Sequence, residues 1–202
     1  MAITGDVGAG KSKTADLFQK SLASYPGCLR IDADRVAAEL WRTPEVVTAA
    51  AGRWGSGNIL DASGCVTHQA VAGIIFGDRE EYDWLMKLLH PLIKKKIEEQ
   101  IALLPENQWA VVEIPLLFEV GAPSWVTVSV FVTAPRETRV SRCRARGWDE
   151  AELRRREKFF IPSEERMALS DYVIHNDGSL DKLKKAVEDI RLKISRLQTF
   201  RE

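Results

Sequence analysis

The sequence has no excess of charge of either sign: 29 Lys and Arg are matched by 29 Asp and Glu, a formal net charge of zero. That balance argues against a protein that coats a polyanion, and no basic stripe interleaved with aromatics points to nucleic acid. Cysteine is scarce. Cys28, Cys65 and Cys143 are odd in number and far apart, with no C-x-x-C pair, which excludes a disulfide framework or a cysteine zinc site and fits a reducing compartment. His68, His90 and His175 are equally scattered, so no two share a helix face as metal ligands. No apolar run approaches the ~18 residues of a membrane span. The first residues, Met1 to Asp6, leave no room for a secretory signal, so a cytoplasmic location is expected. With 8 prolines, 13 glycines and 45% hydrophobic residues, the composition is that of a globular chain able to fold without staples.

What is present is an alternation of short β-branched runs with longer amphipathic stretches, the pattern of an α/β protein with a mostly parallel sheet. Strands are predicted at 1–4, 28–32, 109–114, 126–133 and 171–174, and helices at 11–22, 34–41, 80–104, 136–146, 150–159 and 179–197. Two intervals exceed a minimal repeat. Residues 42–106 outrun the ~30 residues of a βαβ unit, beginning glycine-rich and turning helical. Residues 147–170 are charged and contain Pro162, which lacks an amide proton and should interrupt a helix there.

The strongest local signal is Gly5-Asp6-Val7-Gly8-Ala9-Gly10-Lys11-Ser12, a match to G-x-x-x-x-G-K-[ST] placed between a strand pattern and a helix pattern. Gly8 and Gly10 let the backbone turn its amides inward, and the following helix offers its positive end to a polyphosphate. Lys11 would reach the β and γ oxygens, and the Ser12 hydroxyl suits Mg²⁺.

At Ile31-Asp32-Ala33-Asp34 a strand pattern ends in two carboxylates that alternation would place on one side. Phosphoryl transfer to a hydroxyl uses such a carboxylate to accept the proton; alternatively Asp34 is simply the N-cap of the next helix. Between 136 and 146 stand Arg136, Arg139, Arg142, Arg144 and Arg146 against one acid, Glu137. Helical spacing puts Arg139, Arg142 and Arg146 on one face, which would neutralise a transferring phosphoryl group or else be a solvated face.

Taken with further segments, these motifs make the chain similar to the dephospho-coenzyme A kinase family. The matching pieces are the loop, Ile31-Asp32-Ala33-Asp34-Arg35, Ile59-Leu60-Asp61, His90-Pro91-Leu92-Ile93, Pro115-Leu116-Leu117-Phe118-Glu119, Arg142 with Arg146, Glu165-Arg166 and Val173-Ile174-His175-Asn176-Asp177-Gly178. The resemblance implies a P-loop kinase-like three-layer α/β fold with a central parallel sheet. In it 1–41, 107–146 and 171–202 form the nucleotide-binding core, 42–106 a helical acceptor insertion and 147–170 a small lid. It implies transfer of the ATP γ-phosphate to the 3′-hydroxyl of dephospho-CoA, with Mg²⁺, by a monomer or weak homo-oligomer.

By the same resemblance Lys11, Asp34, Arg142 and Arg146 are catalytic, and Gly8, Ala9, Gly10, Lys11, Ser12, Lys13, Asn176, Asp177 and Gly178 bind ATP. Asp32, Asp34, His90 and Glu119 face the acceptor, and Ser12 the metal. His90 beside Pro91 is equally readable as a buried histidine, Glu119 as a helix cap, and Trp41 and Trp54 as core. The chain departs from the family at Gly5-Asp6, where Gly-Gly is common, at Thr67-His68, where Asp-Arg is frequent, and near Phe160, where glutamine is usual. The loop, the acid and the arginines do not name the acceptor, so a nucleoside monophosphate kinase or another small-alcohol kinase shares these motifs. A GTP-dependent switch fits less well, because no N-K-x-D guanine-reading motif is present.

Overall fold

The computed structural model describes residues 1–23, 27–105 and 108–199, with side chains through residue 196. Five strands, β1 (Ala2–Gly5), β2 (Cys28–Asp32), β3 (Trp109–Glu113), β4 (Ser129–Thr133) and β5 (Tyr172–His175), form one parallel sheet in the order β2-β3-β1-β4-β5. The chain runs outward from β1 to β2, returns through β3, and then crosses to β4 on the other side. This makes β1 the switch point, where ligands of open α/β sheets bind beyond the carboxyl ends.

The chain divides into two compact units, residues 1–32 with 104–202, and residues 33–103. In the first, α1 (Lys11–Leu22) and α10 (Leu180–Thr199) cover one face of the sheet. Leu183, Val187, Ile190 and Ile194 recur at helical spacing and pack with Phe18 and Leu22 on Ile3, Val111, Val130, Val132 and Ile174. The strands read as nearly continuous apolar runs because sheets of this kind are buried on both faces; Ser129, Val130, Phe131 and Val132 are all buried. Phe18 is fully enclosed, and its truncation to Ala would cost about 3–5 kcal/mol. The unit also holds α7 (Arg136–Arg144), α8 (Glu150–Glu157) and α9 (Ser163–Leu169), with α9 against β1.

The second unit is mainly helical, with α2 (Ala33–Leu40), α3 (Pro44–Trp54), α4 (Ser56–Ile59), α5 (His68–Ile75) and α6 (Arg79–Ala102), and one antiparallel bridge pairs Leu60 with Val66. α6 packs on α2 and α5, and Asp78 caps it by accepting a bond from the Glu80 amide. Trp41 and Trp54 are buried here as core, and the Trp54 indole donates to Glu81 Oε2 at 2.7 Å.

Several expectations are corrected. The glycine-rich start of the 42–106 interval is helical: Pro44 opens α3, and buried Val46, Ala50 and Trp54 supply a stripe that outweighs the ~1 kcal/mol penalty of Gly52. The strand expected from 126 begins at Ser129, because Val126 closes a turn on the Pro123 carbonyl. The helix expected to reach 146 ends at Arg144, closed by bonds from the Gly147 amide to the Arg144 carbonyl and from the Trp148 amide to the Cys143 carbonyl. The helix expected to reach 159 ends at Glu157, closed by the Phe159 and Phe160 amides, so it stops before Pro162, which stands at the N-cap of α9. The helical unit takes in α2, which the sequence placed with the core. The boundary expected at 106 and 107 lies outside the described residues. Among the described residues no helix is long and apolar enough to cross a membrane.

Candidate active site

The carboxyl ends of the strands gather the chemistry in the first unit. Gly5 ends β1, Asp32 ends β2, Glu113 ends β3 and Thr133 ends β4, with Asp32 paired to Glu113, Ile3 to Glu113 and Gly5 to Val132. Residues 5–10 then turn into α1. Gly8 and Gly10 have φ of 77° and 99°, and a Cβ would strike the Arg139 carbonyl oxygen at 2.7 Å in the first case and Asn176 Nδ2 at 2.5 Å in the second. No other residue type fits both the dihedral and the approach.

The loop is braced from outside by its carbonyls. Arg142 donates to the Ala9 carbonyl at 2.9 Å and the Asn176 carbonyl at 3.2 Å, and Asn176 Nδ2 donates to the Ala9 carbonyl at 2.8 Å. Arg139 donates to the Val7 and Ala134 carbonyls and to Glu157. α1 starts from Gly10 without a side-chain cap, so its first amides and its dipole remain the loop's anion-binding end. Lys11 lies across its own loop, its Nζ 3.2 Å from the Gly5 carbonyl and 3.0 Å from that of Asp6.

Beside the loop, Ser12 Oγ donates to Glu113 Oε1 at 2.9 Å. Arg30 meets Glu113 at 2.9 Å, Asp16 at 2.8 Å and Asp32 at 3.8 Å. Glu113 is buried, and that burial is the main cause that pushes its pKa up; the Ser12 bond opposes the shift and the Asp32 charge adds to it. Among the described residues no three His, Cys, Asp or Glu side chains gather to hold a metal by themselves. A hydroxyl with two neighbouring carboxylates is instead the hard-oxygen set that Mg²⁺ accepts when phosphates and water complete its shell.

The predicted site residues thus separate. Lys11, Ser12, Lys13, Asp32, Arg142, Asn176 and Glu119 belong to the first unit with the loop. Asp177 is paired with Lys182 at 2.9 Å, which lowers its pKa, and Gly178 follows it. Asn176 turns its amide to the phosphate loop. Glu119 Oε1 accepts the Ile161 amide at 3.1 Å, and its Oε2 is buried with no partner among the described residues.

The shared arginine face holds for Arg139 and Arg142 only. Arg146 lies past the end of α7 and is exposed, its guanidinium carbon 6.0 Å from the Trp148 ring centroid, because the turn at Gly147 stops the helix. Asp34 and His90 belong to the second unit. Asp34 is exposed in the first turn of α2. The strand ends at Asp32, so strand alternation does not govern Asp34, and a helix beginning at Ala33 makes it a first-turn residue where an N-cap was the alternative. His90 is half-buried in the middle of α6, and burial lowers its pKa.

Sequence reasoning missed Arg30, Glu157 and the pairing of Asp6 with Arg166. Arg30 was legible, since alternation places it on the same side as Asp32. The other two join segments about 20 and 160 positions apart, and no local pattern signals such a contact.

The dephospho-CoA kinase family model matches residues 1–182. Curated relatives include the dephospho-CoA kinase of Synechocystis sp., 33% identical over 93% of this chain and 92% of that one. That of Helicobacter pylori is 34% identical over 93% of each. A crystal structure from Thermus thermophilus superposes with a TM-score of 0.73 at 30% identity over 95% of each chain. Dephospho-CoA kinase from Campylobacter jejuni, at 23% identity and TM-score 0.65 over 98% and 97% of the two chains, shares the fold.

Proposed function

This chain belongs to the dephospho-CoA kinase family, and from that premise we propose how its own residues carry out phosphate transfer to dephospho-CoA. The reaction is the last step of CoA synthesis: the γ-phosphate of ATP passes to the ribose 3′-hydroxyl. The observation that carries the residue assignments is the loop at the switch point, with Lys11 folded across it and Ser12 joined to Glu113 at the end of β3.

ATP phosphates take the amides of residues 8 and 10–12 at the start of α1, the Ala9 amide being bonded to the Asp6 carbonyl. Lys11 exchanges its two carbonyl partners for β and γ oxygens, a move that trades neutral acceptors for charged ones and is favourable for that reason. Mg²⁺, when bound, neutralises charge on the β and γ oxygens. Ser12 would hold it, with Glu113 bonded to Ser12 and Asp32 next to Glu113. Arg30 keeps Glu113 and Asp32 from repelling one another.

Asp34, two residues beyond β2, accepts the proton of the attacking hydroxyl. Arg142 and Asn176 hold the loop's curvature, which positions the phosphates, while exposed Arg146 is the arginine free to move toward transferring charge. Asp177 and Gly178 line the adenine, and His90 and Glu119 serve the acceptor. ADP release, measured by a coupled assay across dephospho-CoA, nucleoside monophosphates and shikimate, tests the acceptor. Turnover with dephospho-CoA alone is expected; equal turnover with a nucleoside monophosphate would overturn it.

A further inference from the structure

Asp6 puts a carboxylate inside the phosphate loop itself, where an unbalanced negative charge would repel a polyphosphate. The side chain is buried and fully engaged. Oδ2 accepts from Thr133 Oγ1 at 2.7 Å and from Ser163 Oγ at 3.0 Å, and Oδ1 accepts from an Arg166 amino group at 2.8 Å. Both members of the ion pair are only 4% exposed. Arg166 is itself sandwiched, its guanidinium carbon 5.2 Å from the Phe131 ring centroid and 5.8 Å from that of Phe160, with Nε 3.8 Å from Glu119 Oε1. The backbone of Asp6 is equally committed: its amide donates to the Val132 carbonyl at 3.0 Å, and its own carbonyl accepts from the Ala9 amide and from Lys11 Nζ.

We propose that Asp6 and Arg166 are positioning residues that form a charge-balanced brace beneath the phosphate loop. The carboxylate ties the first turn of the loop to α9 and to β4, so the loop keeps its shape when Lys11 leaves the Gly5 and Asp6 carbonyls for phosphate. Arg166 cancels the charge that this tie introduces. A buried pair is screened little by salt, so the neutralisation holds at ordinary ionic strength. The inference rests on ATP phosphates occupying the loop.

The two halves of such a brace have opposite electrostatic effects on ATP although both stabilise the fold. Arg166→Gln leaves an unopposed carboxylate near the phosphates, and KM for ATP is expected to rise about tenfold. Asp6→Asn removes the carboxylate beside the loop and leaves Arg166 to Glu119, 3.8 Å away, and KM for ATP is expected to stay level or fall. Arg166→Lys restores the charge and should recover most of the ATP affinity. The double variant Asp6→Asn with Arg166→Gln should return KM for ATP toward wild type.

The measurement is steady-state KM for each substrate, together with ATP binding by fluorescence, at a temperature well below each variant's Tm. A brace of purely structural value would lower Tm in both single variants and shift KM for ATP in the same direction in both; that result, or no shift in either, overturns the proposal. If Arg166→Gln fails to fold, Arg166→Lys and Asp6→Asn still carry the test: KM for ATP raised alike in both sinks it. A wild-type chain that binds no ATP would instead overturn the loop assignment on which the proposal rests.

Discussion

Ser12 Oγ donates to Glu113 Oε1 across 2.9 Å, joining the residue after the loop lysine to the last residue of β3, 101 positions along the chain. Parallel pairing of β1 with β3 makes this possible, because it sets both strand ends at one edge of the sheet. The bond links the loop to a buried carboxylate.

Glu113→Gln removes that charge while keeping the shape. A charge-assisted bond of this kind is worth about 1.5–3 kcal/mol, so the Mg²⁺ concentration giving half-maximal activity should rise about tenfold to a hundredfold. Titration of Mg²⁺ at fixed ATP checks this, and an unchanged midpoint would remove Glu113 from the metal's surroundings.

Asp34→Asn should lower kcat by about 10²- to 10⁴-fold, the usual contribution of a general base, with KM for ATP nearly unchanged. Single-turnover phosphate transfer is the direct measurement. Near-normal turnover would exclude Asp34 as the proton acceptor.

Gly8→Ala places a methyl 2.7 Å from the Arg139 carbonyl oxygen at a backbone φ of 77°. Strain of this kind costs about 1–3 kcal/mol, and the displaced carbonyls also spoil the anion site. Thermal melts should show a lower Tm and a much smaller stabilisation by added ATP. A variant that keeps the wild-type ATP response would contradict the tight packing of loop on α7.

Glu157→Ala removes the carboxylate that binds both Arg136 and Arg139. Arg139 is 11% exposed and would lose its charged partner, at a cost of about 1–3 kcal/mol. Urea unfolding should report the loss, with the slope against urea unchanged; equal stability would mean that water replaces the carboxylate fully.

His90 is held below its ordinary pKa of 6.5 by burial. The folded chain therefore binds this proton more weakly than the unfolded chain. As pH falls through 6.5 the unfolded state is protonated first and stability declines, until the lowered folded pKa is passed; above 6.5 the residue contributes no slope. His90→Gln should flatten the fall in Tm on the acid side, and parallel Tm curves for the two chains would contradict the burial.

The sequence by itself carried the alternation of strands and helices, the loop and the order of segments, because these depend on local periodicity and on residue types with special backbone needs. Lys11–Leu22 and Cys28–Asp32 follow directly from apolar spacing bounded by glycine or carboxylates. Helix ends were less legible: α7 stops short because a turn at Gly147 completes bonds that periodicity alone does not reveal. α3 forms through Gly52 because its buried stripe outweighs that residue's local cost.

Tertiary structure decided which charges meet around the loop. Arg139, Arg142 and Arg146 read as one face for phosphate or for solvent, yet Arg139 and Arg142 are spent on loop carbonyls and Glu157, and Arg146 falls outside the helix. Asp6, a charge in a glycine loop, found its counterion 160 positions away in Arg166. Coulomb attraction and burial act through space, so these long-range partners are set by sheet order and helix placement, whereas only pairs three or four residues apart on one helix, such as Arg79 with Asp83, follow from spacing.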